Sequence, residues 1–424
     1  MASKQPSGST EQERMSREEA NRRTVELISR ADPVLVDILP AIEALPGMQS
    51  NVVLTSGAPM PFESYVGGQR QGLIGGALYE GLADTAEEAE RLFEKGEIQV
   101  GVCHDFGCVG SLAGITTASM PVVVVRDEAN GTKGHCTLYE GASLKRLNYG
   151  VYDDEVDRNL RHLEEEIAPA LRDAVQEVGG ISLLPLMRGA LRMGDELHSR
   201  NTAATILFTR EILPGLLKLA ARQLSRADQL ASYLGSSDYF FLRLGMAAGK
   251  AAADAAHGIQ GSSVVTAMTF SCLEFSIRVS GLGDRWFSAP LPSPEAQLFD
   301  GYTEDDIEFM GGESTINETV GLGGFAQAAA FALQRYQGGS PDKMIEDNMN
   351  MYEITVGEHP QLQIPFFSYR GVPIGIDVER VVETGITPIM DIGIAGRGGG
   401  QIGAGTLRAP IACFQEAAVA LTSA

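Results

Sequence analysis

The densest group of proton-moving side chains in this sequence lies in Gly194-Asp195-Glu196-Leu197-His198-Ser199-Arg200-Asn201. Asp195 and His198 are three residues apart, a spacing that puts them on one face of a continuous helix. A carboxylate placed there orients an imidazole and raises its pKa for general acid–base work. The same spacing also fits a plain surface ion pair. Glu196, Arg200 and Asn201 add polar groups to the segment, and the second histidine of a HExxH zinc motif is missing. Arg278 and Arg285 bracket a glycine turn next to Trp286, the only tryptophan. Guanidinium groups grip carboxylate or phosphate through two parallel hydrogen bonds, so this segment reads as an anion clamp or as a hairpin turn with surface charges.

Three further segments could carry chemistry. Cys103 to Gly114 follows an expected strand, and its backbone N–H groups could hold an anion. Within it His104 suits a general base, a ligand-binding group or a structural histidine, whereas Cys103 and Cys108 suit buried spacers better than nucleophiles. Gly312 to Gly321 carries Glu313 and Glu318, candidates for orienting an amide or holding a metal. Ile392 to Gly405 is the most glycine-dense stretch; with Arg397, Gln401 and Gly403 it reads as a wrapper for a small anion or as a flexible lid. All five segments are rich in glycine or arginine and poor in Cys/His ligand spacings. They suit a small polar anion better than a redox cofactor; no cofactor is assigned and a metal is left open.

Local patterning indicates which elements position these groups. Residues 16–30 read as a helix, 51–54 as a strand and 62–80 as a closely packed helix. Thr85, three residues before Glu88, starts another helix that Gly96 stops. Apolar strands follow over 98–102 and 122–125. From Asp154, Val156, Leu160, Leu163, Ile167 and Leu171 recur at helical spacing, with Pro169 expected to kink or divide the helix. Residues 239–256 form a small-residue helix. Strands are expected over 263–270, 274–280 and 386–394, and helices over 324–337, 341–352 and 409–421. The fold class is therefore mixed α/β (α+β): two mixed-sheet α/β units with a central helical segment, packed into one body. The expected divisions are a disordered tail over 1–15, an α/β domain over 16–150, a helical domain over 151–257 and a second α/β domain over 258–424.

Composition narrows the function. Of 424 residues 44% are hydrophobic, enough to bury substantial cores. With 55 acids against 33 bases the formal charge is -22, which disfavours nucleic acid as a partner. No run of about 18 apolar residues suggests a membrane span, and the polar N-terminus lacks the apolar segment of a secretory signal. Five scattered cysteines without a CxxC pair suit reduced thiols in the cytoplasm.

Several phrases, in order along nearly the whole chain, resemble one family. They are Ala31-Asp32-Pro33-Val34-Leu35-Val36-Asp37, Cys103-His104 with Ser119-Met120-Pro121-Val122, and Met193-Gly194-Asp195-Glu196 with His198, Arg200 and Asn201. Further along come Ile277-Arg278-Val279-Ser280-Gly281-Leu282-Gly283-Asp284-Arg285-Trp286-Phe287, Gly375-Ile376-Asp377-Val378 and Gln401-Ile402-Gly403-Ala404-Gly405. The family is that of the AllG (YlbE-like) subunits of oxamate carbamoyltransferase and the YahG-like proteins. The sequence departs from the family pattern at Asp105-Phe106, Phe270-Ser271-Cys272, Ile307 to Gly312 and Gly396-Arg397. The resemblance implies a mixed α/β subunit, in a homo- or hetero-oligomer, working beside an FdrA-type partner that is similar to succinyl-CoA ligase subunits. It also implies interconversion of oxalurate plus phosphate with oxamate plus carbamoyl phosphate during purine-ring (allantoin) breakdown. On this basis Arg278 and Arg285 are expected to clamp the anion, and His198, paired with Asp195, to move protons. The alternatives are hydrolytic opening of a cyclic amide or ureide, and a non-catalytic scaffold for the FdrA-like partner.

Overall fold

The computed structural model describes residues 15–423 except Ala142 and Leu144, so the expected tail lies, but for Met15, outside the described residues. The first half is organised around an antiparallel sheet. Its strands come from β1 (Pro33–Pro40), β4 (Pro121–Asp127), β5 (Lys133–Thr137) and β6 (Ile181–Ser182), in the spatial order β5-β4-β1-β6, while β2 (Val52–Thr55) and β3 (Gln99–Val102) pair in parallel beside it. Val122 to Val125 are buried on both faces, which is why this strand reads as an unbroken apolar run.

The helical segment covers that sheet. The expected helix from Asp154 is present, with Asp153 accepting from the N–H groups of Glu155 and Val156 as its N-cap. It runs without a break through a π-helical stretch, Leu163–Ile167, into Ala168–Val178. Pro169 follows directly on the π-helical stretch, and Ile167 and Ala168 before it keep helical backbone angles, so the helix is not divided there. Helix Thr202–Arg222 crosses Ala168–Val178 at Gly215, where a Cβ would lie 2.1 Å from the Ala174 carbonyl oxygen. Helix Phe240–Ala255 is buried along nearly its whole length against β4 and β5. One apolar core joins Leu27, Leu35, Val123, Leu171, Phe208 and Phe240 to Ile374 far downstream.

A second core lies between the C-terminal sheets and helix Ile411–Ser423. Here β7 (Val265–Phe270), β8 (Glu274–Val279) and β9 (Trp286–Pro290) form an antiparallel meander. Strands β10 (Glu295–Leu298), β13 (Ile389–Ala395) and β14 (Gln401–Arg408) make a sheet in the order β10-β14-β13, and β11 (Thr355–Ile364) with β12 (Arg370–Ile376) makes a hairpin. The architecture is thus a mixed α+β fold.

Two expectations are corrected. Residues 324–337 are not one helix but a series of short 3-10 turns ending in the single helical turn Gln334–Gln337. Asn348 holds this path open by accepting from the Ala328 N–H at 3.1 Å and donating to the Phe325 carbonyl at 2.7 Å, two backbone groups that a helix would have used itself. The glycine-dense stretch 392–405 is not a free wrapper either, because most of it is ladder in β13 and β14 and only the turn 396–400 lies between them.

Candidate anion pocket around His198

Helix Leu184–Arg192 stops at Met193, Gly194 follows with φ +95°, and Leu197 is left-handed at φ +71°. Residues 194–201 are therefore a loop, and the shared helix face that would pair Asp195 with His198 does not exist. Asp195 instead accepts from the Ala204 N–H at 2.9 Å, satisfying the start of helix Thr202–Arg222, and lies 3.3 Å from the Arg200 guanidinium. Glu196 folds back under the loop and accepts from the backbone N–H groups of His198 (3.0 Å) and Arg200. Burial, reinforced by the neighbouring Asp391 and Asp195 charges, pushes the Glu196 carboxyl well up. Asn201 donates to the His198 carbonyl at 2.7 Å. These residues shape the loop; the partner of the imidazole comes from elsewhere.

That partner is Glu318, whose Oε1 lies 2.7 Å from His198 Nδ1 with both side chains almost fully buried. The same oxygen accepts from the Gly324 and Asp391 N–H groups, each at 3.0 Å, so the carboxylate is fixed. Gly323 is required here, because at φ +55° its Cβ would sit 2.0 Å from Glu318 Oε1. Burial opposes a charged imidazole, but the Glu318 charge and hydrogen bond outweigh it and hold the His198 pKa above its ordinary value. Asp391, behind Glu318, accepts from Gln327 (2.7 Å) and Gln337 (2.9 Å); burial and the Glu318 charge raise it to about 6.

With Nδ1 engaged, the other edge of His198 faces a cavity of about 50 Å³. Since roughly 10–15 Å³ of such volume admits one water, the space admits a small ligand. Four of the segments singled out in the sequence meet in its wall: Ser111 and Leu112, His198 and Ser199, Ser314, and Gly393 with Gln401. Leu112, which lines the cavity, has positive φ, as do Ala113 and Leu197, each next in sequence to a lining residue. Such strain persists where the surroundings enforce it, commonly at functional sites.

The cations of the cavity are not the expected ones. Arg146 and Arg243 line it, together with Tyr139, Tyr149, Tyr239 and Tyr336. The Arg146 guanidinium stacks on the Tyr139 and Tyr149 rings at 4.8 and 5.4 Å and donates to the Tyr139 hydroxyl at 2.8 Å. Arg243 is 5% exposed, its Nε has no acceptor, and among the described residues its side chain hydrogen-bonds only to the Cys136 sulfur, at 4.0 Å. Among the described residues neither arginine has a carboxylate partner.

The remaining expected site residues lie apart from this wall. Arg278 is tied to Asp105 and stacks on Trp286 at 4.1 Å, with Asp284 4.0 Å away. Its charge is already countered, which is why it is not the clamp of this cavity. His104 packs its edge on the same indole, and burial lowers its pKa. Arg285 is exposed over the Phe287 ring, and Arg397 is exposed in the turn between β13 and β14. Gly403 permits close strand pairing rather than ligand contact: its Cβ would lie 2.7 Å from the Gln297 carbonyl oxygen of β10. Glu313 is fully buried: its backbone N–H donates to the Gly110 carbonyl at 2.8 Å, and its carboxyl oxygen accepts from the Gly110 N–H at 2.8 Å. Among the described residues no group of three or more His, Cys, Asp or Glu side chains is arranged to hold a metal, all five cysteines are free and buried, and no helix is long and apolar enough to cross a membrane.

Fold and cavity together define a class: an α+β protein with a small, cationic, tyrosine-walled pocket. Comparison with known proteins narrows this. A family model described as oxamate carbamoyltransferase subunit AllG matches residues 98–314. The chain is 39% identical over 400 residues to the uncharacterized protein YahG of Escherichia coli (strain K12), covering 94% of this chain and 84% of that one. It is 38% identical over 408 residues to the oxamate carbamoyltransferase subunit AllG of the same organism, covering 95% and 97%. A crystal structure of a conserved protein of unknown function from Enterococcus faecalis V583 superposes with a TM-score of 0.93 at 36% identity, covering 96% of this chain and 98% of that one. The chain belongs to the AllG family of carbamoyltransferase-type subunits.

Proposed function

We propose that this subunit binds the small anionic ureido or amide substrate of a carbamoyl transfer, oxalurate- or oxamate-like, in the His198 cavity, opposite carbamoyl phosphate or phosphate. The observation that carries this reading is the buried Arg243 guanidinium without a carboxylate. An unpaired buried charge costs several kcal/mol, and an anionic ligand is the natural compensation. Arg146, stacked on the Tyr139 and Tyr149 rings, supplies a second positive group. The chemistry then follows from His198. Phosphate oxygen attacks the ureido carbonyl carbon, the carbon–nitrogen bond breaks, and imidazolium held on Glu318 gives its proton to the departing amide nitrogen. The name of the relative, a subunit, supports work beside a further chain, here an FdrA-type partner in the cytoplasm.

Calorimetry on the whole chain with oxamate and with carbamoyl phosphate tests the pocket. Arg243→Met is expected to weaken binding about 10²-fold, the effect of losing a buried charge-assisted pair worth 2–3 kcal/mol. Unchanged affinity in a folded variant would remove the reading and leave the scaffold alternative. Turnover that proceeds without phosphate would replace transfer by hydrolysis.

A further inference from the structure

Two guanidinium groups account for the charge of a bound anion but not for its neutral carbonyl oxygen, which needs a donor of its own. Tyr239 and Tyr336 both line the cavity, with their hydroxyl oxygens 2.7 Å apart. In this pair the Tyr239 hydroxyl donates to the Tyr336 oxygen, and Gln401 occupies the second acceptor site of that oxygen. The Gln401 amide nitrogen donates to the Gly403 carbonyl at 3.0 Å and also to the Tyr336 oxygen. A carbonyl can only accept, so the Gln401 amide cannot be reversed, and Tyr336 must accept from it. With Tyr239 donating as well, both lone pairs of the Tyr336 oxygen are occupied. Its own proton then has no acceptor among the described residues and is free for whatever occupies the cavity.

We propose that Tyr336 is the hydrogen-bond donor to the carbonyl or amide oxygen of the bound anion, its proton directed into the cavity by Gln401 and Tyr239. This rests on the pocket reading given above. Burial raises the Tyr336 pKa, so the phenol keeps its proton at neutral pH. Placed where negative charge grows as the carbonyl is attacked, such a donor is worth on the order of 10²–10³ in rate.

The test is oxamate binding to the whole chain, read by calorimetry and by the tyrosine ultraviolet difference spectrum. Each variant removes a single hydroxyl. Tyr336→Phe is expected to lower affinity at least tenfold and to abolish the tyrosine difference band. Tyr239→Phe is expected to weaken binding less than Tyr336→Phe and to keep the band, because Tyr336 retains Gln401 and its own proton. Tyr336→Phe binding within twofold of the wild type, or Tyr239→Phe showing the larger loss, would overturn the assignment. Failure of the two ideas is separable. If the wild-type chain binds oxamate, Arg243→Met does not and Tyr336→Phe does, the donor alone is wrong; if the wild-type chain binds no oxamate, both fall.

Discussion

Glu313 and Arg243 are both buried side chains of charged type, yet their surroundings force opposite outcomes. Arg243 cannot shed its proton and so demands an anion. Glu313 can take one up, and burial raises its carboxyl to about 8, against the lowering effect of the Gly110 N–H. Its pKa in the fold lies above the unfolded value, so the native state binds the extra proton between about pH 4.5 and 8 and stability falls as pH rises through that window. Glu313→Gln keeps the acceptor for Gly110 and removes the titration. Across that window its stability advantage over the wild type is expected to grow by about 1.4 kcal/mol per pH unit in urea unfolding, and parallel pH profiles would contradict this. At this scale the sequence carries one strong clue: Arg243 and Lys250 are the only basic residues in the largely apolar 239–256 run, and only Lys250 has a carboxylate four residues on, Asp254. The Asp195–His198 pairing misled because the left-handed turn at Leu197 breaks the helix that the spacing assumed.

Elements were legible where local chemistry determines them. Thr85 accepts from Glu88 N–H at 3.2 Å to start helix Ala86–Glu94, as its spacing predicts. Strands β1 and β5 escaped notice, the first because its apolar residues flank Asp37 and two prolines, the second because Lys-Gly-His-Cys-Thr has no alternation to read. The pairing of β1 is supplied by β4, a long-range partner, and that of β5 by the hairpin it makes with β4. The turns over 324–337 depend on Asn348, which no local pattern announces. Close helix crossing gives a prediction of its own. Gly215→Ala improves helix propensity by about 1 kcal/mol, but the new methyl meets the Ala174 carbonyl oxygen at 2.1 Å. Overpacking costs typically 1–3 kcal/mol and more when the obstacle is backbone, so the variant is expected to melt several degrees lower. A higher melting temperature would show that the two helices can slide apart.

For the molecule as a whole, the excess of acids that gives a charge of -22 surrounds a cavity lined by arginines. The distant field repels the anion that the interior attracts, and dissolved salt screens the distant field far more than the buried contacts. If the cavity takes oxamate as proposed, its association rate is expected to rise as ionic strength increases from about 0.01 to 0.15 M. Stopped-flow measurement of a falling rate would show that local cations dominate the approach.

The cavity wall draws on residues as distant as Ser111 and Gln401. No single stretch of chain contains it, and it is complete only once β14 has been laid against β13. Occupancy and global unfolding are thereby linked as one equilibrium: whatever fills the cavity protects both halves of the polypeptide against denaturation in proportion to the logarithm of its concentration. A truncated or nascent chain that stops short of Gln401 gains none of that protection.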